Sequence, residues 1–256
     1  MPVTRTLVLG GQEVARIGLG TNRLTPANVE LVREAIADGI GIVDTAHSYT
    51  GGASEETIGA ALDAEPERCV IATKGGGPEP GQGRAEVIRA EIDESLRRFG
   101  LDIVPLYYLH WIDPETPLEE SVAAIAEARV AGKVRDVGLS NVTVEEIERA
   151  RRIVPVAAVQ NHYHLTERTH EDVVDHCARE GIVFVPYFPL KGKPGPVLDE
   201  IAERHGATPT QVTLAWLLRR SPAMLPIPGT LSGEHVRENL AALELELTDA
   251  DFDALR

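Results

Sequence analysis

Apolar, β-rich runs in this chain repeatedly end in a side chain able to do chemistry. Residues 41–43 lead into Asp44 and, five residues on, Tyr49; residues 70–73 end at Lys74; residues 106–109 end at His110; residues 137–140 end at Asn141. A tyrosine, with a free pKa about 10, acts as a general acid near neutral pH if a neighbouring cation eases formation of its anion. Lys74 is such a cation, Asp44 a counter-charge to hold it, and His110 a neutral donor for a substrate oxygen. Any one of these residues alone reads more simply: a packing tyrosine, a solvated lysine, a salt bridge, a core histidine. Together, on three successive strand ends, they read as an active site.

Strand ends meet only if the strands are parallel, and the chain alternates accordingly. A β-hairpin is expected over residues 6–17 around Gly10-Gly11, then a strand near 16–20 and a helix through Val29, Val32 and Ile36. Strands follow at 41–45, 69–73, 104–109, 135–139, 156–160 and 183–187. Helices are expected at 54–64, 85–99, 117–131, 143–153 and 170–180. After 183–187 come helices at 196–205 and 209–220, a strand at 224–227, a helix at 233–243 and a short helix at 249–255. Thr143 with Glu146, and Thr208 before Pro209, mark helix starts. An open doubly wound sheet also satisfies this alternation. Eight strand–helix units, a length near the ~250 residues of a (β/α)8 TIM barrel and no Gly-x-Gly-x-x-Gly after the first strand favour the closed barrel. One domain over residues 1–256 is expected, with the hairpin closing the bottom of the barrel.

The chain has 256 residues, 40 acidic and 25 basic, for a net charge of -15. That charge repels nucleic acid and anionic lipid, so neither is an expected partner. Cys69 and Cys177 are too few for a disulfide framework and read as core thiols. With no apolar run near the ~20 residues that span a bilayer and no basic-then-apolar start, a cytoplasmic location is expected.

The segments Asp44-Thr45-Ala46-x-x-Tyr49, Ala72-Thr73-Lys74, Leu109-His110-Trp111, Gly138-Leu139-Ser140-Asn141 and Val159-Gln160-Asn161 resemble the aldo-keto reductases, in order along nearly the whole chain. Pro186-Tyr187-Phe188-Pro189-Leu190 and the stretch from Ile227-Pro228-Gly229-Thr230 to Glu238-Asn239 extend the resemblance. It implies an NADPH-dependent oxidoreductase that reduces a small-molecule aldehyde or ketone, with NADH as a possible substitute. The family's catalytic tetrad falls on Asp44, Tyr49, Lys74 and His110. Tyr49 would protonate the carbonyl oxygen, Lys74 assist it, Asp44 hold Lys74 and His110 orient the carbonyl.

By the same resemblance Gly20, Thr21 and Asn22 border the cofactor, Ser140, Asn141 and Gln160 hold the nicotinamide carboxamide, and Tyr187 stacks on its ring. Phe188, Leu190 and Gly192, with Lys191 or Lys193, follow the pyrophosphate. Ile227, Gly229, Thr230, Ser232, His235, Glu238 and Asn239 meet the adenosine end. Gly229 and His235 stand where many members carry Lys and Arg, so backbone and hydroxyl donors take more of a 2'-phosphate; NADPH is still expected ahead of NADH. Asn22, Thr50 and Trp111 would line an open substrate pocket.

His162-x-His164 lacks a third ligand at fitting spacing, so no metal site is expected. Gly75-Gly76-Gly77 lacks the order of a phosphate loop and reads as a turn at the barrel mouth. The alternative from another class is a cofactor-binding sensing or regulatory protein with little turnover; a barrel isomerase would not need Ser140, Asn141 and Gln160. A monomer or weak oligomer is expected.

Overall fold

Gly10 and Gly11, both at positive φ, turn Thr6–Leu9 (β1) back on Gln12–Ala15 (β2) as an antiparallel hairpin. Among the described residues seven parallel strands follow: Leu19–Gly20 (β3), Ile42–Asp44 (β4), Val70–Gly75 (β5), Val104–Leu109 (β6), Val134–Ser140 (β7), Val156–Gln160 (β8) and Val183–Phe184 (β9). Helices Val29–Ala37 (α1), Ala53–Ala61 (α2), Ala85–Phe99 (α3), Leu118–Val130 (α4), Val144–Arg151 (α5) and Glu171–Glu180 (α6) alternate with them. Pro196–His205 (α7), Pro209–Arg220 (α8), Gly233–Ala241 (α9) and Asp249–Ala254 (α10) complete the chain. The computed structural model describes residues 4–62, 69–192 and 195–255.

Side-chain alternation sorts the strands into two layers. Ile42, Val70, Ala72, Leu106, Tyr108 and Ala158 share one buried cluster inside the barrel. Their neighbours Val43 and Ile71, and Tyr107 and Val159, belong to the clusters beneath the helices. Inward parity carried forward by two residues per step lands on Asp44, Lys74, His110 and Gln160. Gly138 takes an inward position because a Cβ there would lie 2.3 Å from a ring carbon of Tyr108.

Several expected strands are shorter in the fold: 16–20 is a strand only at Leu19–Gly20 and 41–45 only at Ile42–Asp44. The 183–187 ladder stops at Phe184, where Pro186 has no N–H to give, although Val185 and Tyr187 still donate to Val159 O and Asn161 O. The eighth strand, expected at 224–227, forms only isolated bridges. Pro226 and Pro228 cannot donate, yet their carbonyls accept from Gly18 N–H (3.0 Å) and Gly20 N–H (3.2 Å), and Leu225 N–H reaches Phe184 O at 2.8 Å. These bonds close the barrel between its first and last staves. The helix expected over 233–243 ends as α9 at Ala241, followed by a 3-10 turn at Ala242–Glu244. Residues 63 and 64, at the expected end of the second helix, lie outside the described residues.

Leu9 and Val14 of the hairpin join the interior cluster beside Ile42, Val70 and Leu106, so the hairpin closes the amino-terminal end of the barrel. Gly41 permits its approach: a Cβ there would fall 1.9 Å from Ala15 O. Arg16 just beyond is buried and donates to Met224 O (3.0 Å), Thr4 O (3.0 Å), Leu218 O (2.8 Å) and Ser221 O (2.5 Å). Burial lowers its pKa to about 10, which leaves it cationic at neutral pH. Arg16→Met therefore strands several buried carbonyls, at ~1–3 kcal/mol for each left without a partner. Urea denaturation should show a loss of ~3 kcal/mol or more; an unchanged midpoint would make the arginine dispensable. Among the described residues no helix is long and apolar enough to cross a membrane.

Candidate active site

Lys74 is wholly buried at the end of β5, and its Nζ donates to Asp44 Oδ2 and to Thr45 O, each at 2.7 Å. Register explains the meeting: Asp44 pairs with Ala72 in the sheet, and Lys74 stands two residues further along the same face. Gln160 Nε2 donates to the other Asp44 oxygen at 2.8 Å. Burial raises the Asp44 carboxyl above its ordinary range, against the attraction of Lys74 and these hydrogen bonds. The Gln160–Asp44 bond joins residues 116 apart in sequence.

Tyr49 begins a 3-10 turn, Tyr49–Gly52, and its ring centroid lies 5.0 Å from Lys74 Nζ. His110 meets that ring edge-on at 5.9 Å and is itself placed by its N–H on Gly75 O. Burial, then the Lys74 charge, depresses the His110 pKa to about 3. The imidazole is therefore neutral at physiological pH. The unfolded chain, with a histidine near 6.5, binds the extra proton first as pH falls. The stability that depends on neutral His110 is full above pH ~6.5 and is lost as pH drops toward 3. We expect the His110 ring resonances to stay in their neutral form from pH 8 down to 5; titration near 6.5 would remove this environment.

Among the described residues three non-glycine residues have positive φ: Asn141 (59°) and Phe188 (51°) on the cavity wall, and Thr50 (48°) next to Tyr49. Asn141 is held there by three bonds. Its amide donates to His110 O and Ser140 Oγ, both at 3.1 Å, and its carbonyl accepts from the Tyr187 hydroxyl at 2.9 Å. Ser140 Oγ donates in turn to Gln160 O at 2.8 Å.

A cavity of about 390 Å³ opens over this set, lined by Gly20, Thr21, Asn22, Asp44, Tyr49, His110, Trp111, Ser140, Asn141, Gln160, Tyr187, Phe188, Ile227 and Gly229. Leu190, Lys191 and Gly192 border a neighbouring cavity of about 570 Å³ at the start of α7. Lys193 lies outside the described residues. Thr230, Ser232 and His235 cluster at the start of α9: Thr230 Oγ1 accepts from Ser232 N–H at 3.1 Å and lies 3.3 Å from His235 Nδ1. Ser232 caps the helix. Glu238 instead accepts from Thr208 across to α8 at 2.5 Å, and Asn239 is buried in the same helix. Thr50, expected in the substrate pocket, is exposed with its hydroxyl on Tyr49 O (2.8 Å), and does not line the cavity.

Sequence reasoning passed over the support beneath Tyr49. Glu55, fully buried on α2, accepts from Thr73 Oγ1 (2.6 Å) and from Arg98 Nη1 (2.9 Å), while Arg98 also donates to His47 O (2.9 Å). Arg98 sits beneath Gly52, where a Cβ would come within 2.4 Å of its guanidinium carbon. The turn bearing Tyr49 is thus tied to α3, through a residue 51 positions from His47 that no local motif marks. His162 and His164 face each other at 5.0 Å, with His162 stacked on Tyr187. Among the described residues no third His, Cys, Asp or Glu joins them as a metal-binding group.

Comparison with known proteins agrees with this geometry. The chain is 35% identical to pyridoxine 4-dehydrogenase of Escherichia coli, over 98% of this chain and 97% of that protein. It superposes on an aldo/keto reductase from Klebsiella pneumoniae, solved with NADP and acetate, with TM-score 0.90 and 31% identity over 99% of this chain and 94% of that one. A thermostable aldo-keto reductase solved with the inhibitor epalrestat gives TM-score 0.89 and 34% identity over 98% of both chains. The model of the Aldo/keto reductase family matches residues 16–256. With the strand-end residues brought together inside a parallel barrel, this chain belongs to the aldo/keto reductase family.

Proposed function

We propose that the protein reduces an aldehyde or ketone to the alcohol with NADPH as its reductant and Tyr49 as proton donor. The observation that carries this reading is the Lys74 ammonium, fixed by Asp44 at 2.7 Å and lying 5.0 Å from the Tyr49 ring, opposite the neutral His110. When bound, NADPH supplies the hydride that the carbonyl carbon accepts. His110 orients the carbonyl oxygen by donating a hydrogen bond, and Tyr49 delivers its phenolic proton to that oxygen. The resulting phenolate forms beside Lys74, whose charge opposes its energetic cost where water is excluded.

The chain's polar groups suit this cofactor. Ser140, Asn141 and Gln160 present hydroxyl and amide groups to one side of the cavity, and the half-buried Tyr187 ring offers a flat face to a nicotinamide. The start of α9, with Thr230, Ser232 and His235, offers hydroxyl, imidazole and helix N–H groups to a 2'-phosphate. NADP in the Klebsiella structure supports the same choice.

The test is loss of nicotinamide absorbance with 4-nitrobenzaldehyde, using NADPH beside NADH. Turnover with a clear NADPH preference is expected. Equal affinities for the two would overturn the role of Thr230, Ser232 and His235, and tight binding without turnover would move the reading to a sensing protein.

A further inference from the structure

Beside the cavity over Tyr49 lies a second chamber of about 160 Å³, and the two meet at His110 and Trp111. The Gly75-Gly76-Gly77 run forms part of its wall, where no side chain has room. A Cβ on Gly75 would fall 1.9 Å from the Tyr107 hydroxyl and 2.5 Å from Glu91 Oε2; one on Gly76 would press on Leu109 and Ile88 at 2.9 and 3.0 Å; one on Gly77 would strike Gln82 Oε1 at 1.6 Å. Gly76 also has φ +78°, which a side chain would strain.

Glu91, half-buried on α3, lines this chamber. Its Oε2 accepts from Gly76 N–H at 2.6 Å, and its Oε1 takes no hydrogen bond from the described residues. The Tyr107 hydroxyl beside it is buried without a partner. Burial raises the Glu91 pKa, the main opposing influence being the Gly76 bond. His47 also lines the chamber, and its Nδ1 lies 3.3 Å from Arg98 Nη1 and 3.9 Å from Glu55 Oε2. A carboxylate with an unused acceptor oxygen thus lines one small space next to the reaction centre.

We propose that this chamber is a second arm of the substrate site, taking a hydroxyl-bearing substituent of the carbonyl compound, with Glu91 accepting its hydrogen bond. The assignment rests on the carbonyl-reducing role above and selects hydroxylated aldehydes over apolar ones of the same size. A carboxylate arm is disfavoured by the Glu91 charge.

The experiment compares 3-(hydroxymethyl)benzaldehyde, its isostere 3-ethylbenzaldehyde and 3-formylbenzoate as substrates with NADPH. The unmodified protein should show kcat/KM about 10-fold or more higher for the hydroxymethyl compound than for the ethyl one, as a hydrogen bond to a charged group allows, and lowest for the carboxylate. The ratio should shrink in Glu91→Gln, which keeps a weaker acceptor and the Gly76 bond, and approach 1 in Glu91→Met. A merely structural Glu91 would depress both aldehydes together and leave the ratio unchanged, which overturns the proposal, as does the absence of a preference in the unmodified protein. The same compounds are also titrated by quenching of Trp111, the other tryptophan, Trp216, being buried in the outer core. Hydroxyl-selective, Glu91-dependent quenching without turnover would uphold the chamber and reject carbonyl reduction; turnover without selectivity would do the reverse.

Discussion

Tyr49→Phe is expected to reduce carbonyl turnover by ~10²–10⁴-fold, the worth of proton transfer by a positioned group, while the NADPH dissociation constant stays within a few-fold. The hydroxyl is the one group removed, and the ring that faces Lys74 and His110 remains. Its loss should appear in kcat rather than in cofactor affinity, because in the proposed reaction the proton is needed only as charge develops on the substrate oxygen. Single-turnover measurement with saturating NADPH isolates that step. Retained turnover would assign the proton to another donor, and His110, neutral and facing the same cavity, would become the candidate.

Lys74→Met should have two separable effects. Turnover falls by a similar ~10²–10⁴-fold, because the phenolate forms without its cation. Stability falls as well, by ~3–5 kcal/mol, because removing one partner of a buried ion pair leaves the other uncompensated. Asp44 then keeps only the Gln160 bond, and Thr45 O loses its donor. Adding Asp44→Asn should restore much of the stability and none of the activity, since the stranded charge is gone but the cation is still absent. The pH dependence carries a sign as well. Without Lys74 the folded-state pKa of Asp44 rises further above its unfolded value, so the folded protein takes up a proton that the unfolded chain does not hold. The penalty in Lys74→Met is absent below the unfolded pKa and grows as pH rises toward the folded one. Urea titrations at pH 4 and pH 8 test this; a double variant as unstable as the single, or a penalty independent of pH, would mean that lost packing rather than stranded charge dominates.

Much of the fold was legible because it is periodic. β6 over 104–109, β8 over 156–160 and the helices at 85–99, 196–205 and 209–220 lie where local pattern puts them. Alternation of inward and outward residues is a property of any strand, so the run 70–74 already carries the inward direction of Lys74. Periodicity failed where proline interrupts it. Residues 183–187 and 224–227 are apolar enough for strands, but Pro186 and Pro226 each remove a donor, as Pro228 does just beyond. The barrel closes there by alternate carbonyls instead.

The site residues were legible in identity and less so in partnership. Asp44, Tyr49, Lys74 and His110 stand out as polar side chains at apolar strand ends, and they converge in the fold. Thr50, adjacent to Tyr49, carries no pattern to show that its hydroxyl bonds Tyr49 O and that it stays out of the cavity lining. The Glu55–Arg98 buttress and the Arg16 clamp are single charged residues inside otherwise ordinary segments.

By itself, then, the sequence determined the parallel barrel order, the inward face of each strand and the chemical types set around its mouth, since all of these follow from spacing within a segment. The tertiary structure alone decided that Gln160 bonds Asp44, that Asn141 links Tyr187 to His110, and that three glycines and Glu91 line one chamber. Those meetings depend on register and curvature summed over many strands, and a contact between residues far apart in the chain leaves no periodic trace in either segment.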